Sequence, residues 1–492
     1  MLSKNNKENH AVDIRKGVKS DTLSNFIKAF ERRNVMTETI AAISTGLSNS
    51  GISIIRVSGP DTFQVMDRIF CGKKSGKKLS EQKTHTIHYG WIKDGDEIVD
   101  EVLVSVMRAP HTYTAEDVAE INCHGGSLVT KKVLKTVLKQ GVRLAEAGEF
   151  TKRAFLNGRI DLSKAEAVME VIRAKSDLAL KNSMSQLQGT VLKEISVLRE
   201  KMIHHTAFIE AALDDPEHIS LEGFTNELKT SIIEIRERLY RLLSSAENGR
   251  MLREGIRTVI LGKPNVGKSS LLNVFAGEER AIVTDIAGTT RDTIEESVTV
   301  RGIALALIDT AGIRSTEDVV EKIGVEKAKK VAEEADLILY LADATTEITE
   351  EEKEILSLLT NKKFIVVLNK IDLCKEPDTS ALEQLTGQPV LCISAKKEEG
   401  LDILYDTIEK MFFRKELSYN EELYITGERQ KQSLQTAYDA MGKVLDSIDA
   451  GMPEDFFSID LMQGYESLGE ITGESVDEDL VNTIFREFCM GK

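Results

Sequence analysis

Gly262-Lys263-Pro264-Asn265-Val266-Gly267-Lys268-Ser269 fits the phosphate-binding loop pattern at every position. The two glycines of this loop let backbone N–H groups turn inward around phosphates. Lys268 can then reach the β- and γ-phosphates, and the Ser269 hydroxyl can ligate Mg²⁺. A single match of this kind is also compatible with a Gly-rich turn before an ordinary helix. The loop predicts a nucleoside triphosphate site, and the residues around it decide between the two interpretations.

The sequence on either side of the loop has the pattern of an α/β fold. A β-branched apolar run, Arg257–Leu261, precedes the loop, and a segment with helical periodicity, Ser269–Ala276, follows it. Further apolar runs recur at α/β spacing over Ile303–Ile308, Leu337–Leu341, Phe364–Leu368 and Val390–Ile393. Together they predict a mostly parallel sheet with helices on both faces. Glu296–Val300 leads through Arg301-Gly302 into the next run, which predicts one antiparallel edge hairpin.

A second motif predicts which base the site binds. Asn369-Lys370-Ile371-Asp372 directly follows a predicted strand, at the edge where a parallel sheet presents its ligands. Asp372 can accept hydrogen bonds from N1–H and the 2-amino group of guanine, whereas adenine offers no such pair of donors. Ser394-Ala395-Lys396, after the next strand, would supply a backbone N–H to guanine O6. Alone, the first motif is also compatible with a plain loop, but behind a phosphate loop it predicts guanine.

A third motif is typical of γ-phosphate sensing. Asp309-Thr310-Ala311-Gly312 ends a predicted strand, so Asp309 would hold Mg²⁺ through water and the Gly312 N–H would meet the γ-phosphate. The order and spacing of these motifs resemble those of translation-factor-type GTPases. Ras-like enzymes place a water-orienting Gln just after this glycine, but here the residue is Ile313, which cannot orient water. Some other residue must do so.

The segment between the loop and the third motif is suited to binding two cations. Thr290 is the expected second protein ligand to Mg²⁺, beside Ser269. In a subset of GTPases an Asn at the position of Asn265 helps bind K⁺, and the resemblance completes that site with the carbonyl oxygens of Thr284 and Ile286 and an oxygen of Thr289. Such a cation can neutralise charge developing between the β- and γ-phosphates, as an arginine finger does elsewhere. The alternative for Asn265 is capping of the loop.

The residues expected to contact GTP come from five segments. They are Asn265, Val266, Gly267, Lys268, Ser269, Ser270, Thr284, Asp285, Ile286, Ala287, Gly288, Thr289, Thr290, Asp309, Thr310, Ala311, Gly312, Asn369, Lys370, Asp372, Ser394, Ala395 and Lys396.

Longer segments resemble one GTPase family. The stretch from Asp309 to Ala328 exceeds a generic switch and resembles the tRNA-modifying GTPase family called MnmE or TrmE. In that family a glutamate here orients the attacking water, and it maps onto Glu321, which alone would be interpreted as a solvated helix charge. The resemblance thus assigns Glu321, Lys268 and Thr290 to catalysis. Two further family signatures are Ala147–Leu162 and Phe488–Lys492, and the resemblance runs from Met36 to Lys492.

The N-terminal part has the pattern of a separate α+β domain. Ile52–Ser58, Ile98–Met107 and Val118–Asn122 alternate like strands, and Gly125-Gly126 opens a helix. The family resemblance implies that this domain dimerises and binds 5,10-methylene- or 5-formyl-tetrahydrofolate. The folate ligands that it implies are Arg56, Glu120, Arg159 and Lys492. Cations suit folate carboxylates and a carboxylate suits pterin N–H groups, but a surface ion pair is the alternative for each residue.

Helical periodicity flanks the GTPase region on both sides, which predicts that this region is inserted into one all-α domain. The expected parts are an N-terminal folate-binding and dimerisation domain over residues 36–155, a helical domain over 156–250 plus 415–492, and a P-loop GTPase domain over 251–414. Residues 1–35 carry eight Lys/Arg against four Asp/Glu and have no family counterpart. Their role is open. One interpretation is that the start of translation has been placed too far upstream and that the protein begins at Met36.

Composition indicates the compartment and the kinds of partner to expect. No window offers the roughly 18 apolar residues that a membrane helix needs, and the five cysteines form no CxxC pair, so a reduced cytoplasmic protein without membrane contact is expected. A net charge of −16 argues against strong RNA binding by this chain alone. The family resemblance supplies a flavin-dependent, FAD-containing partner, and we expect tRNA to bind mainly through it.

The resemblance implies a homodimeric, potassium-stimulated GTPase. With its partner it would add an aminomethyl or carboxymethylaminomethyl group to carbon 5 of the wobble uridine of certain tRNAs. A ribosome-assembly GTPase is one alternative, but the chain has no KH-type GXXG loop in a basic setting. A non-enzymatic folate-binding scaffold is another, and intact Lys268, Thr290 and Glu321 disfavour it.

Overall fold

The computed structural model describes residues 38–73, 76–218, 223–278, 296–308, 332–359, 362–374, 376–412, 424–474, 476, 478–486, 488 and 491. These residues form two compact units, one within Met1–Ala165 together with Val476–Lys492, the other within Glu166–Ser475. Several predicted features lie outside the described residues. They are the extension 1–35, Thr284, Asp285, Ile286, Ala287, Gly288, Thr289, Thr290, Asp309, Thr310, Ala311, Gly312, Glu321 and Lys492.

The first unit is built on a seven-stranded sheet with the order β3-β4-β5-β6-β2-β1-β7. All neighbouring strands are antiparallel except β1 and β7, which run parallel. The three strands predicted from alternation are present as β2, β5 and β6. The strands are β1 (Ile40–Ile43), β2 (Ile52–Ser58), β3 (Phe70–Gly72), β4 (Thr86–Asp94), β5 (Glu97–Met107), β6 (Val118–His124) and β7 (Arg143–Leu144).

Alternation along these strands separates two sets of buried residues. The larger core of the unit includes Ala41, Ile55, Ile121 and Val133, and it lies where helices α1 (Thr62–Ile69) and α2 (Ser127–Leu138) pack on the sheet. Residues of opposite parity, such as Ile40, belong to a second, smaller core that contains a residue of α3 (Glu149–Leu156). Strand residues of β1 thus contribute to apolar cores on both faces of the sheet.

The second unit contains long helices around a core of their own. This core includes Ile195, Ile235, Leu239, Leu434 and Leu468, each fully or almost fully buried. The helices of the unit are α4 (Leu162–Arg173), α5 (Asp177–Leu187), α6 (Thr190–Asp214), α7 (Phe224–Glu254), α8 (Lys268–Glu278), α9 (Glu350–Leu358), α10 (Ser380–Thr386), α11 (Leu401–Phe412), α12 (Glu428–Asp449) and α13 (Asp455–Thr472). The predicted helical periodicity on both sides of the GTPase region is therefore confirmed.

A six-stranded sheet forms the rest of the second unit. Its order is β13-β12-β11-β8-β10-β9, and every pair is parallel except β9 with β10. This confirms the predicted parallel sheet and its antiparallel edge hairpin. The strands are β8 (Ile256–Leu261), β9 (Glu296–Val300), β10 (Ile303–Leu307), β11 (Leu337–Asp343), β12 (Phe364–Asn369) and β13 (Val390–Cys392).

Apolar residues on both faces of this sheet are buried, as expected for parallel strands covered by helices. One core includes Ile260, Leu339 and Phe275 of α8, and the other includes Val259 and Tyr340. Met251 and Leu252, near the end of α7, also belong to the first core. The long helix α7 is therefore anchored in the sheet core just before β8 begins.

Of the segment 415–492, which we predicted as part of the helical domain, helices α12 and α13 lie in the second unit, and the chain from Val476 onward groups with the first. Helix α14 (Glu478–Arg486) contacts α3, where Lys152 Nζ donates to Asn482 Oδ1 at 2.6 Å. The rings of Phe155 and Phe485 lie 6.3 Å apart. These contacts explain why the chain from Val476 groups with the first unit. The domain boundaries themselves stay predictions.

Candidate functional site

The phosphate loop lies between the end of β8 at Leu261 and the start of α8 at Lys268. Both of its glycines have positive φ angles and no room for a side chain. A Cβ on Gly262, at φ 147°, would lie 2.4 Å from the Leu341 carbonyl oxygen, and one on Gly267, at φ 102°, would lie 2.2 Å from Asn369 Nδ2. The loop therefore approaches its neighbours too closely for any residue but glycine at these positions.

Lys268 points its ammonium group into the loop. Its Nζ donates to the carbonyl oxygens of Gly262 at 2.7 Å and Lys263 at 2.8 Å. Burial lowers the pKa of Lys268 from its ordinary value. Within the described part of the chain no carboxylate forms an ion pair with it. A partly buried cation held by backbone carbonyls, without a neutralising carboxylate, fits a phosphate ligand.

Asn369, the last residue of β12, joins the phosphate loop to the predicted base loop. Its side chain is only 2% exposed. Nδ2 donates to the Val266 carbonyl oxygen at 2.8 Å, and Oδ1 accepts from the Ala395 N–H at 3.0 Å. One amide thus fixes residues from three separate loops at the same edge of the sheet. Sequence reasoning placed Asn369 at the site but did not find this cross-link.

The remaining residues of the predicted base loop are also held by side-chain contacts. Asp372 Oδ1 accepts from Ser394 Oγ at 2.8 Å. Lys370, at φ 67°, donates from Nζ to Asp343 Oδ2 at 2.6 Å. Burial alone would raise the pKa of Asp343, but hydrogen bonds from Lys370 and Thr345 hold it below its ordinary value. The carboxylate of Asp343 is therefore charged at neutral pH and orients the Lys370 side chain.

Two of the three backbone N–H groups that we expect near guanine O6 already donate hydrogen bonds within the protein. The Ser394 N–H donates to the Glu399 carbonyl oxygen at 2.9 Å, and the Ala395 N–H donates to Asn369. Of the three backbone groups that we predicted, this leaves the Lys396 N–H as the one to which the structure assigns no hydrogen bond among the described residues. Which of them meets a base stays a prediction.

The predicted cation ligands are only partly described. Asn265 has φ 64° and an exposed side chain at the tip of the loop. Asparagine tolerates this backbone conformation better than most residues, so the loop alone gives a reason for it. Ser269 and Ser270 lie in the first turn of α8. Among the described residues, no group of three or more His, Cys, Asp or Glu side chains is placed to hold a metal ion.

Three of the four predicted folate ligands lie near one another in the first unit. Arg56 on β2 pairs with Glu120 on β6, where Nε donates to Oε1 at 2.9 Å. The Arg56 and Arg159 guanidinium groups lie 5.1 and 5.0 Å from the centre of the Tyr113 ring. Arg159 also donates to the Tyr113 carbonyl oxygen at 3.0 Å. Arg56 and Glu120 thus form a half-buried ion pair. The guanidinium group of Arg159 stacks on the same Tyr113 ring as Arg56.

The C-terminus of the chain reaches this cluster. Arg56 NH1 donates to the Gly491 carbonyl oxygen at 3.3 Å, and Ser44 Oγ donates to the same oxygen at 3.0 Å. Gly491 directly precedes Lys492, which lies outside the described residues. The structure therefore places the backbone next to Lys492 beside Arg56, while the Lys492 side chain stays a prediction.

Sequence reasoning missed Tyr113 and did not explain the signature Ala147–Leu162. Within that signature, Arg153 is 2% exposed and forms ion pairs with Glu149 at 3.0 Å and Glu116 at 3.1 Å. The hydroxyls of Tyr113 and Thr151 lie 2.8 Å apart. The signature therefore secures the loop that carries Tyr113. The pair with Glu149 has i,i+4 spacing on α3, but that spacing is common on helices, and the pair with Glu116 joins residues distant in sequence, so the sequence pattern did not single out Arg153.

The sheet order, the phosphate loop and the base loop define the class: the second unit contains a P-loop GTPase fold. The description "MnmE helical domain" matches residues 162–489, and "GTP-binding protein TrmE N-terminus" matches residues 39–159. The chain belongs to the MnmE family of tRNA modification GTPases.

Individual relatives cover nearly the whole chain. A tRNA modification GTPase MnmE from Lachnoclostridium phytofermentans is 60% identical over 93% of this chain and 100% of its own length. One from Thermoanaerobacter pseudethanolicus is 50% identical over 92% of this chain and 99% of its own length. Among solved structures, the FeoB G-domain from Methanococcus jannaschii is 26% identical, with a TM-score of 0.24, over 32% of this chain and 97% of that chain.

None of the helices in the described ranges combines the length and apolar character needed to cross a membrane. The four described cysteines, Cys71, Cys123, Cys374 and Cys392, are free thiols.

Replacing Gly267 with alanine should weaken nucleotide binding by at least about tenfold, because its Cβ would push Asn369 out of both hydrogen bonds. The affinity for GDP is measured by isothermal titration calorimetry. Gly277→Ala, in α8, is the matched control, since its Cβ would meet no atom within 4 Å. Equal affinities for Gly267→Ala and the wild type would contradict the cross-link.

Proposed function

We propose that this protein is a potassium-stimulated GTPase that works with a flavin-dependent partner. Together they add an aminomethyl or carboxymethylaminomethyl group to carbon 5 of the wobble uridine of certain tRNAs. As a member of its family, the protein is a GTP hydrolase that acts in tRNA modification. The observation that carries the nucleotide site is the Asn369 side chain, which is hydrogen-bonded both to Val266 in the phosphate loop and to Ala395 in the loop after β13.

In the proposed reaction the described residues bind and orient GTP. Lys268 exchanges its two carbonyl contacts for the β- and γ-phosphates, and Asp372 accepts from the guanine N–H groups. Ser269, with Thr290, would hold Mg²⁺, whose charge stabilises the phosphate oxygens. Asp309 and Gly312 would sense the γ-phosphate, and Glu321 would orient the attacking water. The roles of Asp309, Gly312 and Glu321 rest on the family resemblance.

A potassium site beside the phosphate loop is supported by the exposure of the Asn265 side chain. Asn265 presents an exposed amide at the tip of the phosphate loop, with its backbone at φ 64°. In the proposed site Thr284, Ile286 and Thr289 supply further oxygens. The cation would offset negative charge that develops between the β- and γ-phosphates. With such a cation in place, the proposed reaction needs no catalytic arginine.

GTP turnover should be at least about tenfold faster in K⁺ than in Na⁺, because a correctly placed cation stabilises the transition state. Asn265→Gly should remove most of this difference, since glycine keeps the positive φ but lacks the side-chain oxygen. Rates are compared at equal ionic strength and saturating GTP. Equal, slow turnover of the wild type in both salts would refute the potassium proposal.

The folate proposal is supported by the charges gathered in the first unit. Arg56 and Arg159 provide two cations on one tyrosine ring, and Glu120 provides a carboxylate beside Arg56. A reduced folate carries glutamyl carboxylates and pterin N–H groups, which match these charges. In the proposed reaction 5,10-methylene-tetrahydrofolate supplies the one-carbon unit, and 5-formyl-tetrahydrofolate would bind at the same residues. Lys492 would complete the ligand set.

The proposed assembly is a cytoplasmic homodimer joined to a partner that carries FAD. The net charge of −16 supports tRNA binding mainly through that partner, because phosphate backbones bind to basic surfaces. We propose no contact with a membrane.

Nucleoside mass spectrometry tests the tRNA function. A deletion strain should lack the modified wobble uridine, and the wild-type chain should restore it. Arg159→Met should fail to restore it, because the variant keeps the alkyl stem over Tyr113 but loses the charge for folate.

The matched control is Arg68→Met, since Arg68 bonds to Gln140 instead of the Arg56 cluster. It should restore the nucleoside. An unchanged wobble uridine in the deletion strain refutes the tRNA function. Restoration by Arg159→Met refutes only the folate role of that residue.

A further inference from the structure

Lys263 occupies a position of the phosphate loop to which the sequence pattern assigns no role. Its side chain nevertheless reaches outside the loop, where Nζ lies 2.6 Å from Glu352 Oε2 on helix α9. The Lys263 side chain is 31% exposed, while that of Glu352 is only 6% exposed. This is therefore an ion pair with a buried carboxylate, unlike a pair between two solvated side chains, which contributes little.

The Glu352 carboxylate is itself fixed by the start of its helix. The Thr349 N–H donates to Oε2 at 2.8 Å, which is one half of the capping box of α9, and the Thr349 side chain accepts from the Glu352 backbone in the other half. The Thr349 hydroxyl also donates to Oε2 at 3.2 Å. Burial, and then the Glu352 charge, raise the pKa of the fully buried Tyr340 phenol. Glu352 thus has little freedom to follow Lys263 if the loop moves.

Lys263 also contacts the phosphate-binding lysine through its backbone. Its carbonyl oxygen accepts from Lys268 Nζ at 2.8 Å. A continuous chain of contacts therefore runs from Glu352 to the Lys263 side chain, through the Lys263 backbone, to the Lys268 ammonium. Of the three residues, only Lys268 would touch the nucleotide directly in the proposed reaction.

We infer that Glu352 is a positioning residue for GTP binding, which acts by holding Lys263 and thereby the phosphate loop. This inference rests on the proposed nucleotide site. Asn369 holds the loop at Val266, and Glu352 holds it on the other side, at Lys263. With both ends fixed, the loop keeps the shape that receives the phosphates before any nucleotide arrives. Binding then costs less ordering of the backbone.

The consequence concerns affinity more than the chemical step. A pre-shaped loop binds GDP, GTP and the transition state alike, so losing the ion pair should raise KM without a comparable fall in kcat. It should also weaken GDP binding by the same factor, since GDP occupies the same loop. A defect in the chemical step would instead lower kcat.

The test uses three variants of the full chain, Glu352→Gln, Lys263→Met and the double variant. Each single change should raise KM for GTP and Kd for GDP by about fivefold to tenfold, with kcat within about twofold of the wild type. The double variant should be no worse than either single change, because the two residues act through one contact. It also leaves no unpaired buried charge, so it tests the inference even if Lys263→Met, which leaves the buried Glu352 carboxylate unpaired, folds poorly.

Lys353→Gln is the matched control, since Lys353 is the next residue on α9 and pairs with Glu350 on the surface. It should leave KM, kcat and Kd unchanged. Losses that add in the double variant, a fall in kcat with constant KM, or wild-type GDP affinity in the double variant would each overturn the inference. Absence of GDP binding by the wild type would instead refute the proposed nucleotide site.

Discussion

The nucleotide site depends on one buried amide, that of Asn369. It donates to the Val266 carbonyl oxygen in the phosphate loop and accepts from the Ala395 N–H. The loops that follow β8 and β13 are therefore both fixed to the end of β12. Breaking either bond would leave a buried polar group unpaired, at a cost of about 1–3 kcal/mol. The phosphate loop follows β8 and Asn369 ends β12, with β11 between them in the sheet. The loop must therefore cross above β11, which explains why a Cβ on Gly262 would collide with the Leu341 carbonyl oxygen.

The two candidate sites use charge in different ways. Around the phosphate loop, Lys268 is held by carbonyl oxygens without a paired carboxylate among the described residues, while Lys263 and Lys370 each have one. Of these three lysines, the one without such a carboxylate is the one expected to meet phosphate. In the first unit, Arg56 is paired with Glu120 and also contacts the Tyr113 ring. There the cation is held in place by its partners, and its charge is partly offset.

Much of the second unit could be predicted from the sequence because its strands are continuous apolar runs and its motifs have fixed spacing. The parallel sheet, the edge hairpin of β9 and β10, and the neighbourhood of Asn369 and Lys268 followed from these patterns. The ion pair of Lys263 with Glu352 could not be predicted, since both residues are polar and no spacing links them. The same holds for Tyr113, whose contacts with two arginines depend on tertiary packing.

The packing of the C-terminal helix in the first unit could not be predicted from periodicity either. A helical pattern shows that α14 is amphipathic but not which core covers its apolar face. In the structure that face meets α3, through Phe155 and Phe485.

Asp372 is expected to recognise guanine in a loop whose position Asn369 fixes. The most direct measurement is calorimetric binding of GDP and XDP to Asp372→Asn. Asparagine can still accept from Ser394, but its amide suits the additional carbonyl of xanthine better than the guanine 2-amino group. We expect GDP binding to be at least about hundredfold weaker, with a preference for XDP. GDP affinity equal to that of the wild type would show that the base is recognised elsewhere.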